Sequence, residues 1–358
     1  MFEAPGCEEL GGHSDYCRGV KAVSHVVATS TSGTSRDVRL ARIPESERIE
    51  IRAGCNVCVI RSTRVISTVM ECRATLLFQT VPYGAQKTAR LGQEGEEGME
   101  FDTLSFDIDS VSTVVKAIGK GPAVIALHGA ATIEGHQWAR GLADRFRVYL
   151  PFHPGFGESG PAPHVMGMQD LVIHYLRLLP ALKVDRPHLV GFSTGGWMAA
   201  EIAAVAGERF NRLVLNAPAG LNHPDHPMAN LGEILPQEFP SYLAHNVDVA
   251  LKYFPGGAEA PSAEEFGAAR QREGEALGNI LKTHGFGHPN LGRWLSRIPN
   301  ETLIVWGEKD RLTPPGQAKI WASFIPKAKV LMMPDVGHFA MQEAPATVTA
   351  ICDFLARG

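Results

Sequence analysis

The sequence predicts an α/β protein: a mostly parallel sheet of eight strands, helices on both faces, and a helical segment inserted between two strands. Three observations point there. From about residue 99 onward, short apolar runs alternate with segments of helical spacing. That is the pattern of strands lying parallel and covered on both faces. The apolar run Pro187–Val190 ends in Gly191-Phe192-Ser193-Thr194-Gly195-Gly196 and opens the helix-like stretch Trp197–Ala204. The alternation breaks at Pro218 and resumes at Thr302. An insert there would lie over strand ends, where open α/β sheets bind ligands.

The elements follow in order. Leu104–Asp109 and Val111–Ile118 read as two strands of a hairpin, and Pro122–Leu127 as a short buried strand ending in His128-Gly129-Ala130-Ala131. A helix is expected over His136–Asp144, a strand over Arg147–Leu150, and a Gly/Pro loop from Phe152 to Gly160. Met168–Leu182 carries Leu171, Val172, Tyr175, Leu176 and Leu179 at helical spacing. After the serine-bearing turn come a strand at Arg212–Asn216, helical stretches near Tyr242–Tyr253 and Ser262–His284, and a strand at Thr302–Trp306. A helix at Pro315–Phe324, a strand at Ala328–Met332 and a helix at Ala344–Arg357 close the chain. The expected division is a core of residues 99–220 and 298–358, with residues 221–297 as a cap.

Residues 1–98 differ from this. They mix Ser, Thr, Gly and Arg without sustained periodicity, and Arg61, Arg64 and Arg73 interrupt the apolar pieces Val57–Ile60, Val65–Met70 and Leu76–Phe78. These pieces could form a few strands. Gly92 to Gly98, rich in Gly and Glu, reads as a solvated linker. The expectation is a disordered N-terminal extension.

The 358 residues are 44% hydrophobic and 20% charged, with a net charge of −4, which suits a globular protein with a large core. Nothing global points to nucleic acid or to an anionic membrane. No apolar run reaches transmembrane length, and Glu3, Glu8 and Glu9 stand where a secretory leader would need apolar residues. Five of the six cysteines lie in the first 72 residues, leaving only Cys352 in the body. That distribution implies a cytoplasmic protein without disulfides. Cys55-Asn56-Val57-Cys58 has zinc-ligand spacing but no second pair, and His223-x-x-His226 stands alone in a histidine-rich insert. Incidental cysteines and solvated loop histidines are the simpler reading. The expected partner is a small molecule, with no metal, no organic cofactor, no nucleic acid and no membrane; a homodimer stays open.

The chemistry centres on Ser193. A strand, a turn flanked by Gly191 and Gly195, then a helix is the context a nucleophile elbow requires. The turn lifts the serine hydroxyl above the sheet edge beside free helix N–H groups. Serine alone is a weak nucleophile and needs a base and an orienting acid. Asp310 follows the strand ending at Trp306, and His338 follows Pro334-Asp335-Val336-Gly337 after the next. His338 is then the base and Asp310 the acid, with Glu308 and Asp335 as competitors for the acid; Asp335, so near His338, fits better as a brace of that loop. The oxyanion donors expected are the backbone N–H groups of Thr194 and Ala130. His128 is read as structural, tying loops beneath the site. Met228, Phe239, Tyr242, Tyr253, Phe254 and Phe266 could line an apolar pocket or simply pack cap on core.

With these pieces in place, residues from about 103 to the end resemble the α/β-hydrolase superfamily. The motifs are His128-Gly129, His153-Pro154-Gly155-Phe156-Gly157-Glu158-Ser159, Gly191-Phe192-Ser193-Thr194-Gly195-Gly196, Gly307-Glu308-Lys309-Asp310 and Gly337-His338. The resemblance implies a serine hydrolase with a cap, and leaves the substrate open among many chemistries. Asp-nucleophile branches, the epoxide hydrolases and haloalkane dehalogenases, do not fit Ser193, and Thr194 stands where perhydrolases usually carry Met. Hydrolysis of carboxylic esters with small or medium apolar substrates is the leading expectation, through an acyl-enzyme. C–C bond hydrolysis of the meta-cleavage-product type is the alternative. It is weakened by Ala130-Ala131-Thr132 in place of a Gly-Pro-Gly loop and by Phe339 in place of a Trp. A receptor that binds without turnover is the reading from a different class.

Overall fold

The computed structural model describes residues 99–133 and 135–357, together with the backbone of three short strands nearer the N-terminus. The chain divides into two units, Met1–Thr88 and Ala89–Gly358. In the first, β1 (Asp37–Val38), β2 (Ile51–Gly54) and β3 (Val57–Ile60) form an antiparallel sheet. Val57–Ile60 is one of the apolar pieces noted above. The disorder expected for the rest of residues 1–98, the other two pieces and the Cys55/Cys58 question lie outside the described residues.

The second unit carries the eight-stranded sheet. Its strands are β4 (Asp102–Ile108), β5 (Val111–Ile118), β6 (Ala123–Leu127), β7 (Arg147–Pro151), β8 (His188–Phe192), β9 (Leu213–Asn216), β10 (Thr302–Gly307) and β11 (Ala328–Met333). Their spatial order is β11-β10-β9-β8-β6-β7-β5-β4. β4 pairs antiparallel with β5, and β5 with β7; every other pairing is parallel. Asp109 and Ser110 both take positive φ, 53° and 66°, the two-residue turn whose twist suits a hairpin. β8, β9 and β10 are buried along their whole length. A central parallel strand covered on both faces is mostly apolar, and these are, with the polar His188, Asn216 and Thr302 only at strand ends.

The helices are α1 (Arg140–Ala143), α2 (Met168–Leu182), α3 (Thr194–Ala206), α4 (Phe239–Leu243), α5 (Val247–Leu251), α6 (Ala263–Leu281), α7 (Leu291–Leu295), α8 (Gln317–Phe324), α9 (Ala340–Glu343) and α10 (Pro345–Leu355). One apolar cluster joins the sheet to α2, α3, α7 and α8 on one face, and a second joins it to α1, α9 and α10 on the other. α3 is buried almost all round. Its Gly195, Gly196, Ala199, Ala200 and Ala203 let the backbone sit close to the sheet behind Ser193.

Two expectations shift. The helix over His136–Asp144 is a 3-10 turn at Gln137–Ala139 followed by the four residues of α1. The stretch near Tyr242–Tyr253 is two helices, because Ala244 is extended and the Asn246 side chain accepts from the Asp248 N–H to start a new one. The helix expected over Ala344–Arg357 is α10, which starts at Pro345, whose missing N–H suits a first turn, and is preceded by the single turn of α9. α6 begins with a capping box, Ser262 Oγ accepting from Glu265 N and the Glu265 carboxylate accepting from Ser262 N.

Candidate active site

Ser193 sits between β8 and α3 with φ 52° and ψ −117°, a conformation that costs an L-residue of order 1–3 kcal/mol. The neighbours show why the turn can be so tight. A Cβ on Gly191 would lie 2.3 Å from the Gly195 carbonyl oxygen, and one on Gly195 would lie 2.2 Å from that of His128. The strained turn is pinned from three sides: Ser193 N–H donates to Asn216 O at 2.9 Å, and its carbonyl accepts from Trp197 and Ala219. Ser193 is buried. A Cβ on Gly129 would fall 3.4 Å from Ser193 Cβ, so the loop after β6 passes directly beside Ser193.

Asp310 and His338 meet as expected from their positions after β10 and β11. His338 Nδ1 lies 2.7 Å from Asp310 Oδ2, and both side chains are buried. The rest of the carboxylate is occupied. Oδ1 accepts from Leu312 N and Thr313 N, and Oδ2 also accepts from Thr313 Oγ1 at 2.7 Å. An ionised carboxylate only accepts, so His338 Nδ1 carries the proton and Nε2 is left basic. Among the described residues Nε2 makes no hydrogen bond. The Phe192 ring, next to Ser193 in the chain, packs 4.8 Å from the His338 ring. Of the competing acids, Glu308 is exposed, and Asp335 is exposed and paired with Lys309. The brace of the histidine loop is instead Glu343, whose carboxylate accepts from Gly337 N, His245 N and Asn246 N.

His128 does tie loops beneath the site. Its Nε2 accepts from His153 N, while its carbonyl receives His153 Nε2 at 2.9 Å. The two rings lie 3.6 Å apart, and His153 Nδ1 meets the Tyr175 hydroxyl. Burial pushes His128 down to about 3 and His153 well below its usual range. Both stay neutral, so each ring holds one donor and one acceptor in fixed places.

The insert packs on the loop that carries His338. Phe339 N–H donates to Leu243 O at 2.7 Å, and a Cβ on Gly337 would meet His245 N at 2.5 Å. A cavity of about 530 Å³ opens beside the site rather than on Ser193, walled by Phe101, Lys116, Thr132, His136, Tyr253 and Arg270 among others. Of the six apolar insert residues proposed for a pocket, Tyr253 and Phe266 line it. Phe239, Tyr242 and Phe254 pack against the core. The His223 and His226 rings are 6.0 Å apart, and no group of three metal-ligating side chains occurs among the described residues. No helix among them is long and apolar enough to cross a membrane.

Thr313, Glu343 and Glu273 were missed in the sequence. Thr313 had a signal, since an Asp three residues before a Thr in a loop commonly folds the backbone onto its own carboxylate. The two glutamates had none.

Residues 122–345 match the family model for the alpha/beta hydrolase fold, and the chain belongs to that family. It is therefore an α/β-hydrolase enzyme. A 2-hydroxy-6-oxo-6-phenylhexa-2,4-dienoate hydrolase of Burkholderia cepacia is 30% identical over 266 residues, 67% of this chain and 90% of its own length. A pimeloyl-[acyl-carrier protein] methyl ester esterase of Nitrosospira multiformis is 27% identical over 66% of this chain and 94% of its own length. The solved meta-cleavage product hydrolase of Pseudomonas fluorescens superposes with a TM-score of 0.58 at 20% identity, covering 70% of this chain and 96% of its own.

Behind the elbow, Glu201 is buried with Trp197 Nε1 donating to it at 2.6 Å. Burial, opposed in part by that hydrogen bond, raises its pKa from 4.5 to about 7. The unfolded chain ionises near 4.5 while the folded one keeps the proton, so this residue's contribution to stability is full below 4.5 and fades up to about 7. Glu201→Gln removes that slope. Its melting temperature relative to wild type should climb between pH 4.5 and 7 and level above; a difference independent of pH would contradict it.

Proposed function

We propose that this chain is a serine hydrolase in which Ser193 attacks a substrate carbonyl, His338 is the base and Asp310 holds its tautomer. Residues 221–297 serve as the cap over a core of residues 99–220 and 298–358, and the protein works in the cytoplasm without a cofactor. The observation that carries the reading is the buried Asp310–His338 pair, at 2.7 Å, with Nε2 left open beside the strained serine turn. His338 takes the Ser193 proton as the hydroxyl attacks. The N–H groups of Thr194 and Ala130 receive the oxyanion, each worth roughly 10²–10³ in rate. His338 then returns the proton to the leaving group, and water enters by the same base to free the acid.

The bond we place first is a C–C bond in a small acid of the 2-hydroxy-6-oxodienoate kind. A carbon leaving group departs only when its electrons can run into a neighbouring carbonyl, which such a dienoate supplies. Several curated relatives carry hydrolase names of this kind. The cavity beside the site is walled by the rings of Phe101, Tyr253 and Phe266, with Arg270 and Lys116 already paired to Glu273 and Glu158, a wall that suits an unsaturated substrate. Carboxylic ester cleavage is the second reading. Ala130-Ala131-Thr132 and Phe339 favour it, as does the esterase among the relatives.

Side-by-side turnover of 2-hydroxy-6-oxo-6-phenylhexa-2,4-dienoate and of p-nitrophenyl esters from acetate to laurate tests the order. A kcat/KM higher on the dienoate is expected. Turnover confined to esters would reverse the two readings, and binding of both without turnover would overturn the hydrolase mechanism.

A further inference from the structure

One buried carboxylate joins the insert to the loop that carries Ala130. Glu273 lies on α6 in the stripe Glu273, Ala276, Leu277, Ile280, whose spacing faces it toward the core. It is 1% exposed. Its Oε1 accepts from Thr132 Oγ1 at 2.6 Å and from Gly157 N at 3.0 Å. Its Oε2 accepts from Thr132 N at 3.0 Å and from Arg270 at 2.7 Å. A carboxylate offers about four acceptor sites, and here all four are used by three segments: the loop after β6, the loop after β7, and α6 itself. Arg272 adds a bond to Gly157 O, and a Cβ on Gly155 would lie 2.8 Å from Ala276. α6 is thus seated on both loops. The same two loops are locked together at their base by the His128–His153 pair.

Thr132 is two residues beyond Ala130. Ser193 and His338 are both buried, and residues 243–245 of the insert pack on the loop that carries His338, so a moving insert is one way to admit substrate. Any movement that lifts α6 takes Glu273 from Thr132 and frees the segment bearing the Ala130 N–H. We propose that Glu273 is a positioning residue that completes the oxyanion hole when the cap is seated, so that closure over a substrate and assembly of the hole are one event. This rests on the reading of Ala130 as an oxyanion donor. It gives the cap a role in the chemical step as well as in shaping the pocket.

The test uses the full chain. Glu273→Gln keeps size but turns one acceptor oxygen into a donor facing Thr132 N–H or Gly157 N–H. Two rates are read: phosphonylation of Ser193 by an alkyl fluorophosphonate, whose phosphoryl oxygen must occupy the hole, and kcat and KM on the better substrate. Displacing the loop by about 1 Å should slow phosphonylation and kcat by ~10- to 100-fold with KM nearly constant. Thr132→Val keeps the backbone bond and loses only the hydroxyl, so it should fold normally and slow both rates by a smaller factor, roughly 5-fold. It decides the matter if Glu273→Gln is not recovered folded. Wild-type rates in either folded variant, with only the melting temperature lowered, would overturn the proposal. So would a raised KM at unchanged kcat, which would make Glu273 part of the substrate wall. Wild-type protein that the probe fails to label would remove the nucleophile reading and this proposal with it; equal labelling of wild type and Glu273→Gln would remove this proposal alone.

Discussion

Ser193→Ala should lower kcat by ~10⁴–10⁶ while leaving the fold intact, the scale on which triad nucleophiles act. The fold should survive because the strain at residue 193 is borne by its backbone. The bonds that hold it, to Asn216, Trp197 and Ala219, are main-chain bonds that alanine keeps. Gly191 and Gly195 still make room for the turn. What disappears is the hydroxyl. Binding should persist, because the cavity walls do not include residue 193. Turnover of purified protein, read with a melting curve, checks both halves. Loss of activity together with loss of folding would leave the nucleophile role without support.

Asp310→Asn should cost ~10⁴ in kcat, with the loop geometry preserved. The argument is local. Oδ1 of Asp310 is held by the Leu312 and Thr313 N–H groups. Asparagine would therefore keep its carbonyl oxygen there and present its NH₂ at the Oδ2 position, toward Thr313 Oγ1 and His338 Nδ1. A donor facing Nδ1 forces the proton onto Nε2, and the base loses its lone pair on the side that matters. Asp310→Ala would lose the loop's hydrogen bonds as well, so Asn is the sharper probe. A kcat within tenfold of wild type would show that Asp310 does not set the tautomer.

The sheet was legible because its strands obey local rules. β8, β9 and β10 are apolar runs with polar residues only at their ends, and α2 shows a helical stripe over the whole span Met168–Leu182. Ser193, Asp310 and His338 were legible for a related reason: each follows a strand, so one-dimensional order already places them at one sheet edge. The insert was harder. The break at Ala244–Asn246 serves Glu343, a partner about 98 residues away, and no local pattern encodes that. Glu273 looks like any other glutamate on the polar helix α6, where Glu264, Glu265 and Glu275 face outward. Only packing against the Thr132 and Gly157 loops singles it out. α7 is five residues long, too short for periodicity to register.

The most direct measurement is the site of covalent capture. The full chain is treated with an alkyl fluorophosphonate, its intact mass is recorded, and the adduct is mapped by peptide sequencing. The account predicts one adduct, on Ser193, that fails to form in Asp310→Asn on the same timescale. An adduct on another residue, or an unmodified folded protein, would contradict the claim that Ser193 is an activated nucleophile.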